Sequence, residues 1–134
     1  MPSLRQHFLN LIFQISKTKP IRRIIPWIIA HMSDLLPINR LAETQTLIAF
    51  FHPKPAYPFH VLIVPKSDLD SVMAIDPAHF PFLNDCFTTI QKLVKQYDLE
   101  SSGYRVIVNG GKNQDFPILH FHLVSDQKPK DQDL

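Results

Sequence analysis

Cysteine is almost missing from these 134 residues: there is one, Cys86. A single thiol excludes an internal disulfide framework and any cysteine-rich zinc site. Its place in an apolar helical pattern predicts a buried structural thiol rather than a reactive one. Glycine is nearly as scarce, three residues against 12 prolines, so turns are made chiefly by proline. Long apolar runs are absent too. The longest near-continuous one, Ile24 to Ala30, is interrupted by Pro26 and falls far short of the ~20 residues that span a bilayer. No small-residue cleavage site follows it, so no signal peptide is expected and the chain reads as cytoplasmic, soluble or peripheral to a membrane. Strong charge of either sign is also lacking. The net charge is +2, enough to favour a phosphate-bearing ligand or an anionic surface but short of a nucleic-acid-binding signature, so no nucleic-acid partner is expected.

What is present is an ordinary globular composition, 45% hydrophobic and 19% charged, in a length that suits one domain. Leu4, Phe8, Leu11, Ile12 and Ile15 form one apolar helical stripe, ended by Lys17-Thr18-Lys19-Pro20. Ile21, Ile24, Ile25 and Ile28 begin a second, with Pro26 allowing a kink. From about Ile38 the pattern changes to strands, with Leu47 to His52 and His60 to Val64 as short apolar runs closed by prolines. Ser67 to Ala74 predicts a helical turn with Ser67 as N-cap. Asp76-Pro77 opens a longer helix carrying Phe80, Leu83, Phe87, Ile90, Leu93, Val94 and Tyr97. Tyr104 to Val108 and Leu119 to Val124 read as two further strands, and Asp126 to Leu134 as a loose polar tail. The order is a helical N-terminus, two strands, a helix and two strands: an α+β fold on an antiparallel sheet. Three segments are expected: a helical extension over 1–37, a domain over 38–125 and a flexible tail over 126–134.

The informative stretch is Gln114-Asp115-Phe116-Pro117-Ile118-Leu119-His120-Phe121-His122-Leu123-Val124. Strand periodicity sends His120 and His122 to one face and Leu119, Phe121 and Leu123 to the other. The apolar set then buries against the helix, leaving two imidazoles side by side on the opposite surface. Such a pair fits a metal site, a satisfied polar pair or coincidence. His60 sits in Tyr57-Pro58-Phe59-His60-Val61-Leu62-Ile63-Val64-Pro65-Lys66, and Asn109-Gly110-Gly111-Lys112-Asn113-Gln114 precedes the His120–His122 pair. With His60, those two could also make a three-histidine metal site of the zinc-enzyme kind. His7, His31, His52 and His79 read as surface or boundary residues.

Taken together, these three elements resemble the histidine-triad (HIT) family: a P-x-H-x-L-V-I-P-K strand, a V-x-N-x-G strand end, then Q-x-x-x-H-x-H-x-H. The resemblance runs from about Ile38 to Val124. It implies a compact HIT-like antiparallel sheet with one main helix, the helical extension added before it, and a homodimer. It also implies attack by His120 on the α-phosphorus of a nucleotide, giving a covalent nucleotidyl-histidine that water or another acceptor resolves. His122 would donate a hydrogen bond to a phosphoryl oxygen, and His60, Asn109, Gln114 and Asp115 would line the substrate side. No cofactor or metal is implied. A neutral imidazole is a competent nucleophile near pH 7, and neighbouring donors can meet the developing anionic oxygens.

Three positions depart from the family pattern. Ile118 replaces the first histidine of the triad, Asp115 stands where a small hydroxyl residue is common, and Pro53 replaces the acidic residue that holds the ribose. Two functions follow as expectations: a nucleotide-phosphate hydrolase or nucleotidyl transferase, or a catalytically weak nucleotide-binding module attached to a membrane or partner through its N-terminal helices. The basic residues Arg5, Lys17, Lys19, Arg22 and Arg23 would serve peripheral contact with an anionic membrane. Packing of the same stripe on the sheet or across a dimer is the other reading.

Overall fold

The structure, a computed structural model, describes residues 40–129. The two expected N-terminal helices and the end of the tail lie outside the described residues. Within them the chain forms β1 (Arg40–Glu43), β2 (Leu47–Phe51), β3 (Phe59–Pro65), the helix α1 (Phe80–Gln96), the short α2 (Leu99–Ser102), β4 (Arg105–Val108) and β5 (Phe121–Ser125). The strands make one five-stranded sheet in the order β1-β2-β3-β5-β4, every neighbouring pair antiparallel. The α+β class read from the sequence is therefore the observed one.

β3 lies at the centre and every one of its residues is buried, as its β-branched and apolar content favours. On one face of the sheet Leu47, Ala49, Phe59, Val61, Ile63, Leu119, Phe121 and Leu123 form the core with Phe82, Cys86, Ile90, Leu93 and Val94 of α1. Full burial of each such aliphatic or aromatic side chain contributes ~1.5–3 kcal/mol. The alternation read from Leu119, Phe121 and Leu123 thus holds. Cys86 is fully buried, and burial pushes its thiol up to about 12.

α1 is entered through a single 3₁₀ turn, Pro77–His79, capped by the Asp76 carboxylate, which accepts the Ala78 N–H at 2.8 Å. Most of the expected inner stripe is the observed one: Ile90, Leu93 and Val94 are buried in the core, and Leu83 and Tyr97 pack against it. Phe80 and Phe87 instead are more than half exposed, and Phe82, Cys86 and Thr89 complete the buried side. At the other end of the sheet the β1–β2 turn is pinned to α1. Thr46 and Thr44 hydroxyls donate to Asp85 at 2.6 and 3.1 Å.

Three further local expectations are corrected. Three strands precede the helix, because Arg40–Glu43 pairs with β2 as a separate edge strand. Ser67 caps nothing, and the helical turn is the short 3₁₀ segment Val72–Ala74 preceded by Ser71. β5 begins at Phe121, because the Leu119 N–H is taken by the carbonyl of Leu69 at 2.8 Å instead of by a neighbouring strand.

Candidate functional site

The sheet face away from α1 carries the histidines. β3 and β5 are in register with Leu62 opposite His122 and His60 opposite Val124, so His60 and His122 share that face on a diagonal. β2 ends one residue before His52, whose N–H donates to the His60 carbonyl at 2.8 Å. That bond closes the proline-rich loop 53–59 and seats His52 beside His60, ring centroids 4.4 Å apart. His122 stacks over His52 at 6.3 Å, and His120 meets His122 at 4.8 Å. Four imidazoles form one cluster.

Main-chain groups place the protons of His60 and His120, and His60 places that of His122. The Ala56 N–H donates to His60 Nδ1 at 3.1 Å, so that nitrogen is unprotonated and the hydrogen of the neutral ring is on Nε2. His60 Nε2 then donates to His122 Nδ1 at 2.8 Å. His122 in turn carries its hydrogen on Nε2, a buried atom with no hydrogen-bond partner among the described residues. His120 is set the opposite way. Its Nδ1 lies 2.7 Å from the Ile118 carbonyl, which can only accept, so Nδ1 holds the hydrogen and Nε2 keeps its lone pair.

Burial keeps the cluster neutral. Desolvation, followed by mutual repulsion with the neighbouring histidines, lowers His52, His60 and His122 to about 4. Desolvation also lowers His120, against the raising effects of its Ile118 hydrogen bond and of the Asp115 charge. Asp115 acts on His122 in the same sense. The expectation of imidazoles on an open surface is corrected: His60 and His120 are only 5% and 7% exposed, and His122 is half-buried. Phe116 edges onto His120 and Tyr57 onto His60, each with its ring plane nearly perpendicular to the imidazole. Among the described residues, hollows of about 600 and 510 Å³ flank α1, both lined by residues other than the four histidines.

The family profile described as the HIT domain matches residues 36–129. The chain belongs to the HIT family. It is 30% identical over 97 residues to an uncharacterised HIT-like protein of Buchnera aphidicola, covering 71% of this chain and 85% of that one. Among solved structures it is similar to a HIT family hydrolase from Clostridium thermocellum (28% identity, TM-score 0.67, 83% of this chain and 96% of that one). It is also similar to a histidine triad nucleotide-binding protein from Candida albicans (29% identity, TM-score 0.62, 75% and 71%).

Of the residues expected in this HIT site, His60, His120 and His122 come together. Asp115 is exposed and near enough to act on two of them by charge. Gln114 ties its loop to the backbone: its amide nitrogen donates to the carbonyls of Asp70 at 2.6 Å and Phe116 at 3.0 Å. Asn109 lies just past the end of β4, half-buried. Ile118 is fully buried. His52 was missed in the sequence. The signal was there in the loop: strands closing over 53–59 must set 52 opposite 60. For a metal the arrangement is unsuited, since His60 Nε2 and His122 Nδ1 are turned on each other. Among the described residues no set of three or more His, Cys, Asp or Glu side chains is placed to hold an ion. No described helix is long and apolar enough to cross a membrane.

Proposed function

We propose that this HIT protein is a hydrolase or nucleotidyl transferase of nucleoside phosphate esters, anhydrides or phosphoramidates, working through a covalent nucleotidyl-His120. The observation that carries this reading is the opposed tautomers of His120 and His122: a lone pair on one ring beside an unpaired, buried N–H donor on the next. His120 Nε2 forms the N–P bond as the bond from phosphorus to the leaving group breaks, and the leaving group departs with that electron pair and takes up a proton from water. The His122 Nε2–H donates to a non-bridging oxygen as its charge grows, and His60 holds His122 in the donating tautomer. Water then attacks phosphorus, the N–P bond breaks, and the nucleotide leaves with His120 neutral again. The names of the Clostridium and Candida relatives, a hydrolase and a nucleotide-binding protein, support the same class.

The three departures from the family shape how well this runs. Ile118 offers no donor, and a missing transition-state donor costs ~100-fold or more in rate. Asp115 sets a negative charge against a phosphate, and Pro53 cannot hold ribose hydroxyls. Slow turnover with weak sugar selectivity follows. The buried position of Ile118 also favours a second reading, a nucleotide-binding module without turnover. The reading further takes in assembly and place: a homodimer, with β4 as an edge strand exposing Tyr104, Val106 and Val108, a domain over 38–125 between a helical extension and a tail, and a cytoplasmic site of action. Intact-mass spectrometry after brief exposure to an adenosine phosphoramidate tests the chemistry. An adenylyl adduct mapped to His120 and lost in His120→Ala is expected. Equal turnover in His120→Ala would refute the nucleophile, and tight binding without any adduct would favour the second reading.

A further inference from the structure

The covalent step changes the charge of a buried ring. His120 enters it neutral, with the hydrogen on Nδ1 bonded to the Ile118 carbonyl at 2.7 Å. When the Nε2 lone pair becomes the N–P bond and the leaving group departs with its own electron pair, that hydrogen stays. The ring is then a nucleotidyl-imidazolium cation. His120 is almost fully buried, so water solvates this charge poorly, and a buried charge without a counter-ion is costly. The groups packed around the ring do not supply one: the Ile118 carbonyl, the neutral His122 ring at 4.8 Å and the Phe116 ring at 5.7 Å carry no negative charge. We infer that Asp115 is the counter-charge of the covalent intermediate, and that its carboxylate stabilises nucleotidyl-His120 and slows the hydrolysis that releases the nucleotide. The inference rests on the covalent reading given above and assigns the residue that sets the lifetime of its intermediate.

The loop before β5 holds Asp115 beside the nucleophile. Asp115 lies between two anchored residues. Gln114 is tied to the carbonyls of Asp70 and Phe116, and Phe116 is buried with its ring edge-on to His120. Three residues on, the Leu119 N–H is taken by the Leu69 carbonyl at 2.8 Å, so the segment 69–70 fixes the loop on both sides of Asp115. The reach of the carboxylate is already felt in the free protein, where its charge favours the charged forms of His120 and His122 against burial. A proton and a phosphoryl group place the same positive charge on an imidazole, so a carboxylate that favours one cation favours the other. The breakdown step then has a definite sign. Water's oxygen bonds to phosphorus, its proton goes to solvent, and the N–P electron pair returns to Nε2. The imidazole becomes neutral while the departing phosphate gains negative charge. Asp115 loses a cation and faces a stronger anion, and both changes make the step slower.

The lifetime of the adduct reads this directly. Full-length wild type, Asp115→Asn and Asp115→Glu are loaded with adenosine phosphoramidate and freed of excess nucleotide. The adenylyl mass on His120 is then followed by rapid quench at neutral pH. Asp115 is exposed, so its exchange spares the fold, and its charge is worth a modest factor. The adduct should decay roughly 2- to 5-fold faster in Asp115→Asn at low salt. Raising the salt from about 10 mM to about 1 M cuts the screening length from roughly 30 Å to roughly 3 Å, and the difference should vanish. Asp115→Glu keeps the charge and should restore the wild-type lifetime. Equal lifetimes of wild type and Asp115→Asn at low salt would overturn the inference. So would a faster decay that persists undiminished at high salt, which would make the effect structural. A longer-lived adduct in Asp115→Asn would also defeat it and make the carboxylate a general base for the attacking water. The covalent reading fails in a different way: no adduct on the wild type at either salt, a result that removes both.

Discussion

Acid should destabilise this protein through its histidines. His52, His60 and His122 have pKa values of about 4 in the fold against 6.5 ordinarily, chiefly because burial opposes their charging. Above pH 6.5 the folded and unfolded chains hold them equally neutral and nothing is gained or lost. Below it the unfolded chain takes up protons that the native cluster refuses, so stability falls with pH and the loss saturates only as pH passes through 4. Between pH 7 and pH 5 each unscreened shift of this size is worth about 2 kcal/mol. Solvent at the edge of the cluster screens His52 and His122, so about 1 kcal/mol per histidine is a fairer figure. The three together then remove about 3 kcal/mol from a domain whose total is of the order of 5–15, a drop of roughly 10 °C in Tm. Urea titrations at pH 7, 6 and 5 on the wild type and on His52→Gln and His122→Gln measure it. Each variant should lose about a third of the slope, while background titrations cancel in the comparison. Identical slopes in all three proteins, or a stability that rises toward pH 5, would refute the account of a desolvated neutral cluster.

Further outcomes follow from other parts of the fold. Cys86, fully buried with its thiol at about 12, should ignore a thiol reagent at pH 8 until denaturant is added; rapid native labelling would mean the α1 layer opens. Asp85→Ala strips the acceptor from Thr44 and Thr46 and should cost about 1–3 kcal/mol in urea; an unchanged midpoint would show that the turn does not depend on it. Asp115→Ser removes the charge that raises His120 and His122. For an exposed charge worth ~0.5–1 kcal/mol, a nucleoside monophosphate should bind roughly 2- to 5-fold tighter at low salt. Calorimetric titration showing no gain would deny the carboxylate any reach into the site.

Where local pattern and packing agree, the sequence is readable. The alternation at Leu119, Phe121 and Leu123 could point inward only one way, because a one-residue slip would bury both histidines against α1. β3 was plain for the same reason: seven residues, all of them buried, between prolines. Features fixed by distant partners were not readable. Arg40–Glu43 is a short polar edge strand, recognisable only once β2 lies beside it. Ser67 has the right residue type for a cap, yet the chain turns helical only after Ser71. His52 has no apolar alternation to mark its role and gains its place solely from the closure of loop 53–59. At α1 the expected stripe holds from Leu83 to Tyr97, but not at Phe80 and Phe87, whose places on the inner side are taken by Phe82 and Cys86.

The loop that joins β2 to β3 sets the proton positions of His60 and His122 through its backbone, by way of the Ala56 amide and the His52–His60 pairing. Swapping side chains within 54–58 therefore leaves the wiring intact, whereas inserting or deleting a single residue would move the amide off His60 and let both His60 and His122 flip. Loop length, more than the side chains it carries, is the setting on which these proton positions depend.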